Sequence, residues 1–326
     1  MVLESSNTEI DFIRSKIDPA IRISVHLITY NHENYIRRAI EGVLVQKVNF
    51  TYELLIGDDC STDNTREIIK EYHNKYPEII KPLLHPYNLG PKGLEGKNNF
   101  LTTLYACKGK YIALCDGDDY WIDPFKLQKQ VDFLEANEDY AICFHRVYEL
   151  APGKGPELSN LNTSVNQETY TIEDLAKGNF IHTPSVVFRN GLIPKLPTWF
   201  MDAPAGDYVL HMLNAEHGKI KYFPDPMAVY RRHSGGVWSS VDYRTNLIKF
   251  NWIKKKLDTH FNYKYHNLLF NDEYKIEILK SDLEYYKHSN SFFSYIFSVI
   301  KLARLKKKTH YSLGYHLLLF KRFFAT

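Results

Sequence analysis

The sequence predicts an α/β protein with a mostly parallel central sheet flanked by helices, followed by a C-terminal helical extension. Three observations support this fold class. Short apolar runs rich in β-branched residues alternate with segments whose apolar residues recur at helical spacing. Acidic and amide side chains directly follow those runs. In a parallel sheet, these positions lie at the carboxyl ends of the strands, where ligands bind. Beyond residue 240 the pattern is helical, with aromatic residues and lysines intermixed.

The first part of the chain contains the predicted strands Ile21–Tyr30, Tyr52–Gly57, Ile79–Leu84 and Tyr111–Cys115. Three helices are predicted from residues that recur at helical spacing. These residues are Tyr35, Ile36, Ala39, Ile40, Val43 and Leu44 in the first helix, Ile68, Ile69 and Tyr72 in the second, and Leu127, Gln130, Val131 and Leu134 in the third. Pro124 marks the start of the third helix. This alternation is typical of the β-α units that build a parallel sheet.

The chain after the third helix is less regular. Residues 151–167 are rich in Pro, Gly, Ser and Asn and predict a loop. Residues 170–240 form a second region, in which Gly206-Asp207 opens an amphipathic helix. Asp207 either caps that helix or is a carboxylate placed at a site, and the periodicity is compatible with both.

The composition is that of a globular protein and excludes several classes. Hydrophobic residues make up 44% and charged residues 24% of the chain, and the formal charge of +3 is too balanced for a dedicated nucleic-acid binder. The four cysteines have no metal-binding spacing and predict free thiols in a reducing compartment. We see neither a signal peptide nor an apolar run long enough to span a membrane, and therefore expect a cytoplasmic protein.

An acidic cluster, Asp116-Gly117-Asp118-Asp119, follows the fourth predicted strand. Three carboxylates in four residues repel one another unless a cation compensates their charge. Mg²⁺ or Mn²⁺ accepts one or two carboxylates and leaves positions for phosphate oxygens. A solvated acidic turn before the next helix would have the same composition, so these residues alone leave both interpretations open.

A basic cluster, Tyr230-Arg231-Arg232-His233, precedes a Ser-Gly-Gly turn. Two guanidinium groups beside an imidazole suit a diphosphate and a metal ligand. A basic surface loop is the alternative. Between the two clusters lie His182-Thr183-Pro184-Ser185 and Trp199.

Taken in order, these motifs resemble those of family-2 inverting glycosyltransferases, which have the Rossmann-like GT-A fold. The matching segments are Thr29–Asn31, Asp58–Asp63, Asp116–Trp121, Gly206-Asp207 and Tyr230–His233. The resemblance implies sugar transfer from a nucleoside diphosphate donor, by default a UDP-sugar, with a Mn²⁺ or Mg²⁺ cofactor. It further implies a saccharide or lipid-linked acceptor in cell-surface polysaccharide synthesis.

The resemblance also implies a role for each matched residue. Asp207 corresponds to the catalytic base, and Asp118 and His233 correspond to metal ligands. Asp119 is expected to orient this pair or to contact the sugar. The indole of Trp199 either stacks on an acceptor sugar or belongs to the core. The residues expected around the nucleotide are Thr29, Tyr30, Asn31, Glu33, Asp58 or Asp59 at the base, Asp116 at the ribose, and Arg231 or Arg232 at the leaving diphosphate.

Three segments depart from the family pattern or match it less closely. Cys60 stands where glycine is usual after the paired aspartates, and Gly206 stands where many relatives carry an acidic residue. The segment that begins at Asn88 resembles the family's loop beside the diphosphate. Lys92 or Lys97 would assist there, unless this segment is a plain surface turn.

The resemblance divides the chain into three parts. We expect an N-terminal extension over residues 1–20, a catalytic domain over 21–240 and a helical region over 241–326. The boundary between the nucleotide-binding half and the acceptor half is placed after residue 123.

The C-terminal region contains eight Lys/Arg and no Asp/Glu from Tyr285 onward. Its apolar and basic blocks are Phe292–Ile300, Lys301–Lys308 and Leu317–Phe324. This mixture suits a helix lying on an anionic membrane surface, here the inner face of the cell membrane. The alternative is a helical tail that packs on the catalytic domain or on a second copy of the chain.

Two other functions are alternatives to the glycosyltransferase interpretation. A non-catalytic sugar-nucleotide-binding module would not need Asp118, Asp207 and His233, all of which are present. An aspartyl phosphatase also places Asp-x-Asp after a buried strand, but needs Thr or Val where this chain has Tyr120. An active enzyme without a nucleic-acid partner is therefore expected.

Overall fold

The computed structural model describes residues 16–89, 97–162, 166–236, 241–288 and 291–308. Several predictions lie outside these residues: most of the N-terminal extension, Lys92 and the block Leu317–Phe324. The side chains of Lys97 and Phe292 are not described either. Contacts divide the chain into two units, with the boundary after Val241.

The first unit contains the sheet and its flanking helices. Its described strands are β1 (Ile23–Thr29), β2 (Tyr52–Asp58), β3 (Ile80–Leu84), β4 (Tyr111–Asp116), β5 (Tyr120–Trp121), β6 (Tyr140–Leu150), β7 (Glu157–Leu158), β8 (Thr169–Tyr170), β9 (Val187–Arg189) and β10 (Lys219–Arg231). Its described helices are α1 (Ile36–Leu44), α2 (Thr65–Lys75), α3 (Lys97–Ala106), α4 (Lys126–Ala136), α5 (Ile172–Lys177) and α6 (Gly206–Ala215).

The sheet has the order β3-β2-β1-β4-β9-β6-β10-β5, with β7 paired to β6 and β8 paired to β10. The long ladders, β1 with β2, β1 with β4, β2 with β3, and β6 with β10, are parallel. The antiparallel ladders between the described strands join at most three residue pairs each. The prediction of an α/β fold with a mostly parallel sheet is therefore confirmed.

The core lies on both faces of the central strands. In β1, Ile23, Val25 and Leu27 are fully buried on one face, and Ser24 and His26 are buried on the other. Burial on both faces is what helical layers on a parallel sheet produce, and it explains the continuous apolar runs in the sequence. The helices that follow β1 and β2 bury the periodic positions predicted for them, including Ile40 and Ile69.

Three long elements were not predicted: α3, β6 and β10. In α3, Asn99 and Thr103 are buried, and Asn99 Nδ2 donates a hydrogen bond of 2.8 Å to the carbonyl oxygen of Gly57. Helix α3 therefore packs polar side chains against β2, which obscures its apolar periodicity. Strand β10 contains Pro224 and Pro226, and its register with β6 shifts at Pro226 because proline lacks the amide hydrogen that a ladder needs.

The second unit is helical, as predicted. Its described helices are α7 (Tyr243–His260), α8 (His266–Leu269), α9 (Asp272–His288) and α10 (Phe292–Lys308). Tyr295, Val299 and Leu302 of α10 pack with Leu283 of α9 into a small apolar cluster. None of the helices within the described residues combines the length and the hydropathy needed to cross a bilayer.

Candidate functional site

Three of the predicted motifs meet at one edge of the sheet, because β2, β1 and β4 are neighbours. In the parallel ladders, Thr29 pairs with Asp58 and Ile28 pairs with Asp116. The carboxyl ends of these three strands are thus in register. This is the place where open α/β sheets bind ligands, because the strand order reverses direction there.

Two loops at this edge are fastened to each other by side-chain hydrogen bonds. Asn31, whose φ is 53°, accepts a hydrogen bond from the backbone N–H of Thr62 at 2.8 Å. Glu33 Oε2 accepts one from Asn64 Nδ2 at 2.8 Å. The side chain of Tyr30 is 45% exposed beside them. Asn31 and Glu33 therefore hold the rim of the site, while Tyr30 offers an accessible ring.

The paired aspartates after β2 have different surroundings. Both carboxylate oxygens of Asp58 are engaged: Oδ2 accepts from Arg66 Nε at 2.5 Å and from the Ser61 N–H at 3.1 Å, and Oδ1 accepts from the Ser61 hydroxyl. Asp59 Oδ1 accepts a hydrogen bond of 2.6 Å from the backbone N–H of Leu89. Burial raises the pKa of Asp59. Asp58 thus organises the loop, and Asp59 is the better placed of the two to meet a ligand.

The acidic cluster after β4 is buried. Burial raises the pKa values of Asp116 and Asp119 well above the ordinary carboxyl value, and the negative charge of Asp118 adds to this effect. Asp119 Oδ1 accepts the backbone N–H of Arg231 at 2.8 Å, whereas its buried Oδ2 makes no hydrogen bond within the described residues. Burial also acts on Asp118, but its hydrogen bond with His233 and the nearby imidazoles outweigh burial and lower its pKa.

A group of three side chains fits a divalent cation. His233 Nε2 lies 2.9 Å from Asp118 Oδ2, and the ligand atoms of His32, Asp118 and His233 all lie within 4.8 Å of one another. The buried Nδ1 of His32 has no hydrogen-bond partner among the described residues. Burial lowers the pKa of His32, so its ring is neutral near pH 7, the form that binds metals.

His32 was not among the predicted site residues. It follows Asn31 in the loop after β1, and a single histidine there carries no metal-binding spacing in the sequence. Only the sheet brings it to the acidic cluster. Thr183 was not predicted for a similar reason, because its partner Asp207 lies 24 positions further along the chain. Arg66 lies only eight positions after Asp58, but its contact with that carboxylate depends on the fold of the loop between them.

The two arginines of the basic cluster point to different partners. Arg231 NH1 donates to the carbonyl oxygen of Asp118 at 2.8 Å, and its guanidinium lies 4.5 Å from the centre of the Tyr120 ring. Burial lowers the pKa of Arg231 from its ordinary value. Arg232 is more exposed and pairs with Glu149 at 3.7 Å. Arg231 therefore lies against the acidic cluster, and Arg232 lies at its border.

Asp207 lies in the first turn of α6 and is held by two hydrogen bonds. Its Oδ2 accepts from the Thr183 hydroxyl at 2.9 Å, and its Oδ1 accepts from the backbone N–H of Tyr208 at 2.7 Å. The negative charge of Asp207 also contributes to the raised pKa of Asp116. A fixed carboxylate thus faces the cluster from the second half of the unit.

His182 and Trp199 belong to the segment between the two clusters. Buried His182 lies beside Thr183, and its Nε2 is 2.7 Å from the Ser159 hydroxyl. Burial lowers the pKa of His182 to about 4, against the opposing charge of Glu149. Trp199 is half-buried in a 3₁₀ turn, Thr198–Asp202.

The sequence of this chain matches a known protein family and a mycobacterial relative. A family model described as glycosyl transferase family 2 matches residues 24–196. An uncharacterized protein of Mycobacterium bovis is 40% identical over 225 residues, which are 67% of this chain and 61% of the relative. The chain thus spans less than two thirds of the length of this relative.

Two solved structures resemble this chain in fold. S. aureus TarS in complex with UDP-GlcNAc aligns over 87% of this chain and 81% of its own, with a TM-score of 0.59 and 17% identity. Mannosyltransferase PcManGT from Pyrobaculum calidifontis, in complex with GDP-Man and Mn²⁺, aligns over 95% of this chain and 83% of its own, with a TM-score of 0.55 and 17% identity. The GT-A fold expected from the motifs is confirmed.

Proposed function

This chain belongs to glycosyl transferase family 2, and on that premise we propose that it transfers a sugar from a nucleoside diphosphate donor to a saccharide or lipid-linked acceptor. The donor class proposed first is a UDP-sugar. The reaction inverts the anomeric carbon, and its product enters cell-surface polysaccharide. The observation that carries this proposal is the Asp118–His233 pair, 2.9 Å apart, at the strand ends that a fixed Asp207 faces.

The nucleotide is proposed to bind along the ends of β1, β2 and β4. Asp59 is assigned to the base, because Asp58 is already occupied by Arg66 and Ser61. Tyr30 offers an exposed ring for stacking, and Asp116 is assigned to the ribose. S. aureus TarS, a fold neighbour, has been solved with UDP-GlcNAc, which supports testing UDP-sugars first.

Asp207 is proposed as the general base. The acceptor hydroxyl attacks the anomeric carbon from the side opposite the leaving nucleoside diphosphate, and a carboxylate must take its proton. The hydrogen bonds from Thr183 and Tyr208 fix the carboxylate while leaving it lone pairs for that proton. No covalent intermediate is required.

The leaving diphosphate is proposed to lie between the acidic and basic clusters. Arg231 and Arg232 would stabilise the negative charge that develops there. Asp118 and His233 would hold Mn²⁺ or Mg²⁺, which when bound neutralises the diphosphate. PcManGT, the second fold neighbour, has been solved with Mn²⁺.

The helical second unit is proposed to attach the enzyme to the inner face of the cell membrane. Phe297 and Ile300 of α10 are 59% and 44% exposed, and Lys301 and Arg304 lie beside them. Apolar side chains among basic ones suit an anionic lipid surface. Such attachment would bring a lipid-linked acceptor to the enzyme.

The aspartyl phosphatase alternative has less support. It needs Thr or Val at position 120, where this chain has Tyr120, a buried residue of β5. The family match also covers more than half of the chain.

The proposal is tested by a screen of UDP-, GDP- and dTDP-sugars with and without Mn²⁺. We expect one donor to raise the unfolding temperature in the presence of Mn²⁺, because a ligand that binds the folded state stabilises it. Asp118→Asn should remove the metal-dependent part of this shift. If no nucleotide sugar stabilises the wild-type protein, the proposal is wrong.

Turnover, followed as donor hydrolysis, tests the base. Asp207→Asn should lower turnover about 10²–10⁴-fold and leave donor affinity almost unchanged, because the carboxylate acts on the attacking hydroxyl. Glu173→Gln, at an exposed position of α5, is the matched control. Near-normal turnover in Asp207→Asn would place the base elsewhere, at Glu216 or Asp202.

A further inference from the structure

His32 stands at the site although no sequence motif assigns it a role. Its ring is packed between Tyr35, with ring centres 6.0 Å apart, and His233, with ring centres 6.1 Å apart. Its ligand atom lies within 4.8 Å of those of Asp118 and His233. Its Nδ1 is buried and has no hydrogen-bond partner among the described residues. A buried polar atom without a partner is costly to the fold, so it needs a compensating function.

Gly117 explains how the imidazole reaches this position. A Cβ atom at Gly117 would lie 2.7 Å from Thr29 Oγ1 and 3.0 Å from His32 Nδ1. Any side chain there would therefore displace His32 or Thr29. The glycine between the aspartates leaves the space that the His32 ring occupies against the acidic cluster.

We propose that His32 is a third protein ligand of the divalent cation, completing a set of two imidazoles and one carboxylate with Asp118 and His233. This proposal rests on the proposed function, because the same cation would contact the diphosphate of the donor. Imidazole nitrogens bind first-row transition-metal ions, of which Mn²⁺ is the weakest binder, whereas Mg²⁺ prefers oxygen ligands and keeps its waters. The site should therefore select Mn²⁺ over Mg²⁺.

The test measures metal binding by the full-length protein without any nucleotide. Mn²⁺ affinity is obtained from the loss of the free-ion signal in electron paramagnetic resonance, and Mg²⁺ affinity from competition. Pulsed measurements on bound Mn²⁺ count the coordinated imidazole nitrogens. The variants are His32→Asn and His32→Asp. His73→Asn is the control, because His73 is a half-buried histidine of the same unit that bonds to the Ile80 carbonyl, away from the cluster.

Loss of the nitrogen ligand should weaken Mn²⁺ binding at least about tenfold in His32→Asn. The nitrogen signal should fall from two imidazoles to one. In His32→Asp an oxygen replaces the nitrogen, so the preference should shift toward Mg²⁺. His73→Asn should bind Mn²⁺ as the wild type does. Thermal unfolding shows whether each variant is folded.

A further variant addresses the space at Gly117. Gly117→Ala should weaken Mn²⁺ binding as His32→Asn does, although it removes no ligand. Equal Mn²⁺ affinity and an unchanged nitrogen signal in folded His32→Asn would overturn the proposal, and so would a wild-type protein that binds Mn²⁺ no better than Mg²⁺. If the proposed function is wrong but His32 is a ligand, the protein would bind Mn²⁺ with two imidazole nitrogens and would turn over no donor.

Discussion

Cys60 adopts a left-handed backbone conformation, with φ of 62°, directly after the paired aspartates. This conformation costs a non-glycine residue about 1–2 kcal/mol and is worse for a β-branched one. We expect Cys60→Gly to stabilise the protein by less than about 1 kcal/mol, because the greater freedom of the unfolded chain offsets part of the relief. Cys60→Val should destabilise it by at least about 1 kcal/mol.

Urea unfolding at equilibrium measures both effects. Cys143 is the matched control, because it is fully buried in strand β6 without a positive φ. At position 143 the order of stability should reverse, so that Cys143→Val is more stable than Cys143→Gly. If Cys60→Val were as stable as Cys60→Gly, the strain at this position would be negligible.

His211 on α6 gives the fold a pH dependence. It is fully buried, and neither ring nitrogen has a hydrogen-bond partner among the described residues. Burial lowers its pKa from 6.5 to about 4, although the charge of Asp207 acts in the opposite direction. Between these two pH values the unfolded chain binds more protons than the folded one, so acidification destabilises the fold through His211.

His211→Leu should remove this contribution. As the pH falls from 6.5 toward 4, the free energy of unfolding of the variant should rise relative to that of the wild type by up to about 1.4 kcal/mol per pH unit. Chemical unfolding at several pH values provides the curves. His217→Leu, at an exposed position just beyond α6, should run parallel to the wild type. Parallel curves for His211→Leu as well would contradict the assignment.

Some residues of the candidate site could be predicted from the sequence, and others could not. Asp118 and His233 were predicted as ligands from motif resemblance, and they lie 2.9 Å apart. His32 could not be predicted, because its proximity to Asp118 depends on the register of β1 and β4. The choice between Asp58 and Asp59 likewise depends on Arg66, whose contact with Asp58 only the folded loop reveals.

At the scale of elements, helix α10 has two different faces. One face packs on α9 through Tyr295, Val299 and Leu302. The other exposes Phe297, and the Nζ atom of Lys301 lies 4.3 Å from the centre of the Phe297 ring. The exposed face is the part of α10 that carries the membrane proposal.

We expect the full-length protein to bind vesicles that contain anionic lipid. Phe297→Ser combined with Ile300→Ser should remove the part of this binding that persists at high salt. Lys301→Gln and Arg304→Gln should each weaken low-salt binding about fivefold, since one basic residue near the surface contributes about 1 kcal/mol. Co-sedimentation at two salt concentrations separates the two effects.

Tyr263→Ser is the control for this experiment, because Tyr263 is 64% exposed outside α10. Binding should be unchanged in that variant. If the wild-type protein does not bind anionic vesicles at low salt, the exposed face of α10 has another role.

Elements with one clear pattern of apolar residues were predicted from the sequence. Elements in which prolines or buried polar residues interrupt that pattern were not. Strands β1, β2 and β4 are continuous apolar runs, which local sequence reveals. Strand β10 was missed because its prolines are locally incompatible with a regular strand, although pairing with β6 stabilises it. Helix α3 was missed because its buried side chains include Asn99 and Thr103, which have low helix propensity.

At the scale of the whole molecule, the α/β class and the helical C-terminal region follow from the order of the elements along the chain. The sheet order does not, because β9, a strand of three residues, inserts between β4 and β6. A segment that short carries no distinct pattern in the sequence. Its place depends on long-range pairing with Ile112 and Ala113 on one side and Ile142 and Cys143 on the other.

The contact between Asp118 and His233 joins residues 115 positions apart. The contact depends on the ladders of β1 with β4 and of β6 with β10, which are pairings between distant segments, so we expect it to form late in folding. A nascent chain synthesised only as far as α6 already carries the acidic cluster and Asp207, but it lacks the imidazole of His233. During translation, such a chain would lack the complete metal site, and both arginines proposed for the leaving diphosphate, until β10 and the residues directly after it have been synthesised.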